Sequence, residues 1–254
     1  MDKRRVLIFD IETMPDLQQV FKHLPRIDDW PGQSLKASIN SVLCIGYKWL
    51  GEKQTHILRL WDYPSWNKSV NDDKVILKEF AKIFNEVDAI VTQNGKKFDI
   101  RFLQTRYIIN GLEPLDHKVI HLDTKQMARR YLYGIGNRLD DLAEITGSQK
   151  KLENGGWDLW SKCWAKDPKA LKLMERYCKQ DVATLEQVFI KLRPFAVSLP
   201  NANMWRKEGN ACPACGSLNV KKDGFRVSKE GKKQRIRCND CGSLSQDTKK
   251  GPQA

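Results

Sequence analysis

The sequence predicts an α/β protein: a mixed sheet flanked by helices, followed by a small cysteine-bearing module. Three observations predict it. Three strand patterns come first, two of them joined by a hairpin signal. Helix and strand patterns then alternate. Two Cys-x2-Cys pairs fall in a tail whose charge balance differs from that of the rest.

Residues 6–11 (VLIFDI) read as a buried strand. Residues 41–50 (SVLCIGYKWL) and 55–62 (THILRLWD) are the next two, with Gly51-Glu52-Lys53 as the hairpin signal between them. Ile76, Phe80, Ile83, Phe84 and Val87 recur at helical spacing, behind Asn71, Asp72 and Asp73, which suit a helix N-terminal cap. Residues 89–94 (AIVTQN) form a short buried strand, followed by a helix through FDIRFLQTRYIIN. Residues 118–123 (KVIHLD) are the fifth strand, and the chain beyond them is mainly helical. In the last long helix Asp167 takes the cap and Pro168 the first helical position, where a missing N–H costs nothing. That helix should run to about Leu192, with Pro194 helping to stop it. Hairpin neighbours first and alternation afterwards predict a mixed sheet covered by helices.

The 254 residues suffice for one sizeable domain and a small one, expected at 1–200 and 205–254, across the linker-like SLPNANMWRKEGN. Of the net charge of +13, residues 201–254 carry +7, from twelve Lys and Arg against five acids, so the tail is the more basic part. Such a balance suits a polyanion, nucleic acid above all, although charge also serves solubility alone. No segment approaches the ~20 apolar residues of a membrane span, so no membrane partner is expected. The N-terminal MDKRRVLIFDIETMP has acids inside its short apolar run and does not read as a secretory signal. Seven cysteines, four of them in metal-type pairs, are not a disulfide framework, and the expected compartment is cytoplasmic.

Strand side chains alternate between faces, so Asp10 and Glu12 point the same way. Two carboxylates side by side on a buried strand repel each other and lose hydration. A divalent cation removes both problems; a strand end frayed into solvent would avoid them. QNGKKFD places Asp99 in the first turn of a helix, with Asn94 and Gly95 at a strand's carboxyl end, where α/β sheets gather ligands. Read singly, Asp99 is equally a first-turn acid favoured by the helix dipole. Tyr177 and Asp181, four residues apart in YCKQD, share a face of the long helix with Leu173 and Leu185. An Asp in such an apolar stripe needs a partner.

Taken in order, FDIET, NGKKFD and YCKQD resemble the motifs of the DEDD superfamily of 3′–5′ exonucleases, in its tyrosine branch. That superfamily includes the proofreading domains of family A and B DNA polymerases. RLDDLAEITG and YCKQDVATLEQVFIKLRPF are also similar to stand-alone phage and bacterial members. The likeness spans about residues 5–195. The histidine branch would carry His where this chain has Arg176. The resemblance implies an RNase H-like fold and two divalent metals, Mg²⁺ or Mn²⁺. Asp10, Glu12, Asp99 and Asp181 would be their ligands, and Tyr177 would orient the attacking water. Thr13 and Met14 would lie near the terminal nucleotide and Asn94 near the scissile end. It further implies DNA, single-stranded or with a frayed 3′ end, as substrate, and a polymerase or replication complex as the candidate protein partner. The competing functions are a 3′–5′ exoribonuclease and a catalytically silent nucleic-acid-binding protein of the same fold. Against the silent binder, anionic groups facing phosphate would only weaken binding.

Cys212 and Cys215, then 22 residues, then Cys238 and Cys241 form the tail's pattern. Gly216 and Gly242 follow each pair, where a tight knuckle needs a positive φ. About 50 residues bury too little core to fold unaided, and four thiolates favour one tetrahedral structural Zn²⁺. The module resembles a zinc ribbon. Lys221, Lys222, Arg226 and Arg235, with further bases around them, predict a cationic hairpin suited to phosphates, with protein docking as the competing role. Phe225 between them reads as local core, with base stacking as the alternative. Trp157, Trp160 and Trp164 form a helical stripe expected to pack inward. Trp30-Pro31-Gly32, in a long loop, is a further stacking candidate. Asp123 is expected to cap the helix after it, itself or through Thr124, rather than to add a fifth acid.

Overall fold

The computed structural model describes residues 5–14, 40–116, 118–150, 152, 156–196, 199–202, 211–229 and 231–246. Trp30-Pro31-Gly32 and most of the linker-like segment lie outside the described residues.

Strands β1 (Val6–Met14), β2 (Ser41–Trp49), β3 (His56–Arg59), β4 (Ala89–Thr92) and β5 (Ile120–Asp123) form one sheet in the order β3-β2-β1-β4-β5. β1, β2 and β3 pair antiparallel, whereas β1–β4 and β4–β5 are parallel. Helices α1 (Lys74–Phe84), α2 (Asp99–Ile109), α3 (Thr124–Tyr131), α4 (Leu139–Thr146), α5 (Trp157–Trp164) and α6 (Pro168–Leu192) flank it. This is the expected mixed sheet covered by helices. Among the described residues no helix is long and apolar enough to cross a membrane.

Strand alternation sorts the core into two layers. Leu7, Phe9 and Ile11 face Ile76, Phe80 and Phe84 of α1 and Leu103 and Tyr107 of α2. The rings of Phe9 and Phe80 lie 5.2 Å apart, centre to centre. Val6, Ile8, Ala89 and Val91 pack on the other side, against Leu142 of α4 and Val182, Leu185 and Phe189 of α6. Helix α6 begins as the sequence predicts: the Asp167 carboxylate accepts from the amides of Lys169 and Ala170, with Pro168 in the first turn.

Two expectations change. The third strand stops at Arg59, because Leu60–Asp62 turn into a 3₁₀ helix that buries Leu60 completely, closed by an Arg59–Asp62 hydrogen bond of 2.7 Å. Asp73 precedes α1 but makes no side-chain cap. Its fully buried carboxylate instead accepts from Arg106 Nε at 2.8 Å and Arg106 Nη2 at 2.7 Å, from Asn110 Nδ2 at 2.9 Å and from the Val42 amide at 2.9 Å. A forked guanidinium outcompetes a local amide for a carboxylate out of water. The network ties the start of β2 to both α1 and α2. Asp73→Ala should cost about 3–5 kcal/mol, because Arg106 would stay buried without its partner. Denaturant unfolding of the full chain measures this, and a loss below about 1 kcal/mol would refute the strong coupling.

A second sheet, β6 (Val220–Ser228), β7 (Gly231–Cys238) and β8 (Leu244–Gln246), is antiparallel in the order β6-β7-β8. Little of it is apolar core: Ile236 is its one fully described strand residue, besides Cys238, that is buried.

Candidate functional site

Asp10 and Glu12 continue the face of β1 that carries Val6 and Ile8, the face turned toward α6. Asp10 stands opposite Gly46 of β2 in the ladder. A Cβ on Gly46 would lie 2.8 Å from Cys178 Sγ and 3.0 Å from Val182 Cγ2 of α6. Glycine at 46 therefore lets α6 lie tightly on the strands, with Cys178 Sγ 4.0 Å from the Asp10 carbonyl oxygen. One turn further along α6, Asp181 reaches the strand acids. Carboxylate oxygens of Asp10, Glu12 and Asp181 all come within 4.8 Å of one another. Glu12 and Asp181 are buried and Asp10 is half-buried. Gly46 went unused in the sequence reading, although a glycine inside a strand pattern is a signal of close backbone approach.

Asp99, at the first turn of α2, is buried and lies outside that three-carboxylate cluster. The β1–β4 ladder ends at the Ile8–Val91 pair, and beyond it the Ile11 amide is met by the Asp99 carboxyl. Burial pushes the Asp99 pKa up to about 7, against the lowering effect of its own amide and that of Ile11; the charge of Asp123 adds to the rise. Asp99 thus flanks the strand residue between the two β1 acids.

The loop before α2 is fixed by Asp123. Its carboxylate accepts from the amides of Asn94 and Lys96, both at 3.1 Å, and caps α3 through the amide of Gln126 at 3.2 Å. Helix capping was expected of it; the clamp on the loop was not. Asn94 takes a left-handed φ of 67°, a conformation that Asn tolerates, and its carbonyl accepts from the amides of Lys97 and Phe98. Gly95 is obligatory: a Cβ there would lie 2.2 Å from Thr92 Oγ1.

Tyr177 is nearly buried on α6, with the Trp160 ring edge-on at 6.3 Å. Trp160 and Trp164 pack against the core as expected, whereas Trp157 is 46% exposed. Met14, expected near a terminal nucleotide, is fully buried in the Phe9 cluster and belongs to the core; Thr13 beside it is half-buried. Cys44, Cys163 and Cys178 are buried. Burial raises the first two, Cys163 to about 12, and a hydrogen bond with Cys44 together with burial raises Cys178, so all three favour the thiol over the reactive thiolate.

In the tail, Cys212 Sγ lies 3.6 Å from Cys241 Sγ, and Cys215 Sγ lies 3.6 Å from Cys238 Sγ. The four sulfurs lie within 4.8 Å of one another. Disulfide sulfurs stand ~2.05 Å apart. Sulfurs on a tetrahedral zinc with bonds of ~2.3 Å stand about 3.8 Å apart, so the set fits that ion. Both knuckles close alike. The Cys212 amide donates to the Ser217 carbonyl and the Gly216 amide to the Cys212 carbonyl; Cys238, Ser243 and Gly242 repeat the pattern. Gly216 and Gly242 have φ of 77° and 74°. The cysteine cluster is compatible with a zinc ribbon.

The predicted phosphate contacts differ in setting. Lys221, Lys222 and Arg226 are exposed. Arg235 and Arg237 close on Asp223: Arg235 Nε donates to its carbonyl at 2.8 Å and Arg237 Nε to its carboxylate at 2.6 Å. The Arg237 guanidinium holds the Asp223 carboxyl below its usual range. Phe225 is 54% exposed, not local core, and the Lys232 ammonium lies 4.7 Å from the centre of its ring.

A family model described as the RNase_H superfamily matches residues 32–193. No curated protein matches the chain. Among solved structures, the family B DNA polymerase from the hyperthermophilic archaeon Pyrobaculum calidifontis is similar in fold, with a TM-score of 0.55 at 19% identity. The alignment covers 77% of this chain and 26% of that one, so the chain spans about a quarter of the polymerase's length. On the family match, the chain belongs to the RNase_H superfamily.

Proposed function

We propose that this protein is a metal-dependent 3′–5′ exonuclease that hydrolyses phosphodiester bonds at the 3′ end of DNA, preferably single-stranded. The observation that carries the reading is the meeting of Asp10 and Glu12 from β1 with Asp181 from α6 inside 4.8 Å. So much negative charge, mostly out of water, suits hard cations better than an empty protein. Asp99 completes the ligand set in this reading, from the side of the Ile11 amide.

Mg²⁺ or Mn²⁺ held by these oxygens would supply an activated water, offset the charge of the phosphate and support the leaving 3′ oxygen. The chain's own residues do the rest. Tyr177, one turn before Asp181 and steadied by Trp160, orients the attacking water. The loop clamped by Asp123 holds Asn94 close to the scissile end, and Thr13 follows the β1 acids toward the terminal nucleotide. In this division of labour residues 1–200 carry the chemistry. Residues 205–254 form a zinc ribbon whose Lys221, Lys222, Arg226 and Arg235 attract the strand.

The test incubates 5′-labelled single-stranded DNA and matched RNA with the protein and Mg²⁺ or Mn²⁺, with and without a chelator. Metal-dependent shortening of DNA from its 3′ end is the expected result. Faster shortening of RNA would make the enzyme an exoribonuclease, and binding without shortening of either strand would make it a silent binder.

A further inference from the structure

We infer that the β6–β7 hairpin is a single-strand-selective DNA surface, in which Phe225 stacks on an unpaired base and Lys232 beside it meets the neighbouring phosphate. The inference rests on the reading of this module as a nucleic-acid binder and names which face does what.

Residues paired across an antiparallel ladder share a face. The register pairs Phe225 with Gln234 and Val227 with Lys232, which places these four on one face. It pairs Lys221 with Arg237 and Arg226 with Lys233, and these lie on the other. The two faces differ in chemistry. The Arg226 face carries Lys221, Arg226, Lys233, Arg235 and Arg237, with Asp223 binding the last two, and β8 adds Leu244 and Gln246 opposite Arg237 and Arg235. The Phe225 face combines 54% exposed Phe225 and 78% exposed Val227 with the Lys232 ammonium, 4.7 Å from the centre of the Phe225 ring.

A bulge between Lys222 and Phe225 keeps the ring on this face. Gly224 within it has φ of 67°, and Arg235 Nε and Gln234 Nε2 bond the bulge carbonyls of Asp223 and Gly224 at 2.8 and 2.7 Å. The ring is therefore presented on a braced backbone. An exposed aromatic with a lysine at its face is a stacking platform for single strands. The occupant follows from charge: the surrounding tail holds twelve basic residues against five acids, which attracts a polyanion and repels a basic peptide. Duplex DNA hides its base faces, so the ring can add nothing there. The opposite, arginine-rich face attracts phosphates of either form.

The test is fluorescence anisotropy with labelled oligothymidylate and with a hairpin duplex of equal charge, in the full-length Asp10→Ala background so that the strand is not consumed. Phe225→Ala should weaken single-strand binding about 5- to 150-fold, from ~1–3 kcal/mol per stacked base, and leave duplex binding within about twofold. Phe225→Trp should restore it. Arg226→Ala should weaken both ligands alike and lower the salt slope by about one. Zinc content per chain checks folding. Should Phe225→Ala lose zinc, Phe225→Leu keeps the bulk without the ring, and must still lose single-strand binding. Unchanged single-strand affinity in the leucine variant, or equal loss for both ligands, overturns the inference. An intact Phe225 effect in a wild-type chain that never shortens DNA would instead sink the exonuclease reading alone.

Discussion

Asp10→Ala should lower the rate of 3′-end shortening by at least about 10³-fold, and Asp181→Ala by a similar factor. Each removes a carboxylate from a cluster held within 4.8 Å, and the metal chemistry proposed for it would be worth several kcal/mol, about 1.4 kcal/mol per decade. Asp181→Ala also removes the one acid that α6 contributes to that cluster, so the helix would lie against the strands without closing the site. Tyr177→Phe should cost less, about 10- to 100-fold, since the acids remain and, in the proposed mechanism, only the water would lose its orienting hydroxyl. Steady-state rates on labelled oligonucleotides measure all three, with circular dichroism to show that the fold persists. Turnover within about threefold of the parent in Asp10→Ala would remove the acids from the mechanism. Loss in Tyr177→Phe equal to that in Asp10→Ala would give the hydroxyl a larger part than orientation.

The second large effect concerns the cysteines. Stripping metal, or replacing Cys238 with alanine, should abolish protection from amide hydrogen exchange across 211–246 while β1, β2 and α6 stay protected. Structural zinc contributes about 10–16 kcal/mol in small modules, more than Ile236 and its few neighbours can replace. One zinc per chain, released by a thiol-reactive mercurial and counted with a chromogenic chelator, is the expected stoichiometry. Retained protection in the stripped protein would show that the hairpin folds by hydrogen bonding and packing alone.

Much of this was legible in the chain because local chemistry fixes it. The cap at Asp167 with Pro168, the apolar alternation of β1, and the paired knuckle glycines after each Cys-x2-Cys act over a few residues, and the structure forms each where the pattern lies. The parity that puts Asp10 and Glu12 on one face is likewise a property of one strand.

Other features were illegible because they depend on partners far away in sequence. Asp73 reads as a cap, but Arg106, 33 residues on, supplies a stronger donor in a dry setting. Phe225 reads as core, yet it is 54% exposed, and its ring neighbour is Lys232 of the opposite strand rather than an apolar layer. Met14 lies two residues beyond Glu12, yet its side chain packs among Phe9 and its neighbours. The meaning of Gly46 emerges only when Cys178 and Val182 of α6, more than 130 residues later, lie across it.

By itself, then, the sequence determined most element types, though not the 3₁₀ turn at Leu60–Asp62, and also the sheet's mixed character, the four sulfurs and the carriers of the acidic side chains, since periodicity, capping and ligand chemistry are short-range. Tertiary structure alone decided that Asp181 joins Asp10 and Glu12 while Asp99 faces the Ile11 amide, and which face each hairpin residue occupies. Those outcomes turn on helix-to-strand distance and strand register, which are set by packing between remote segments.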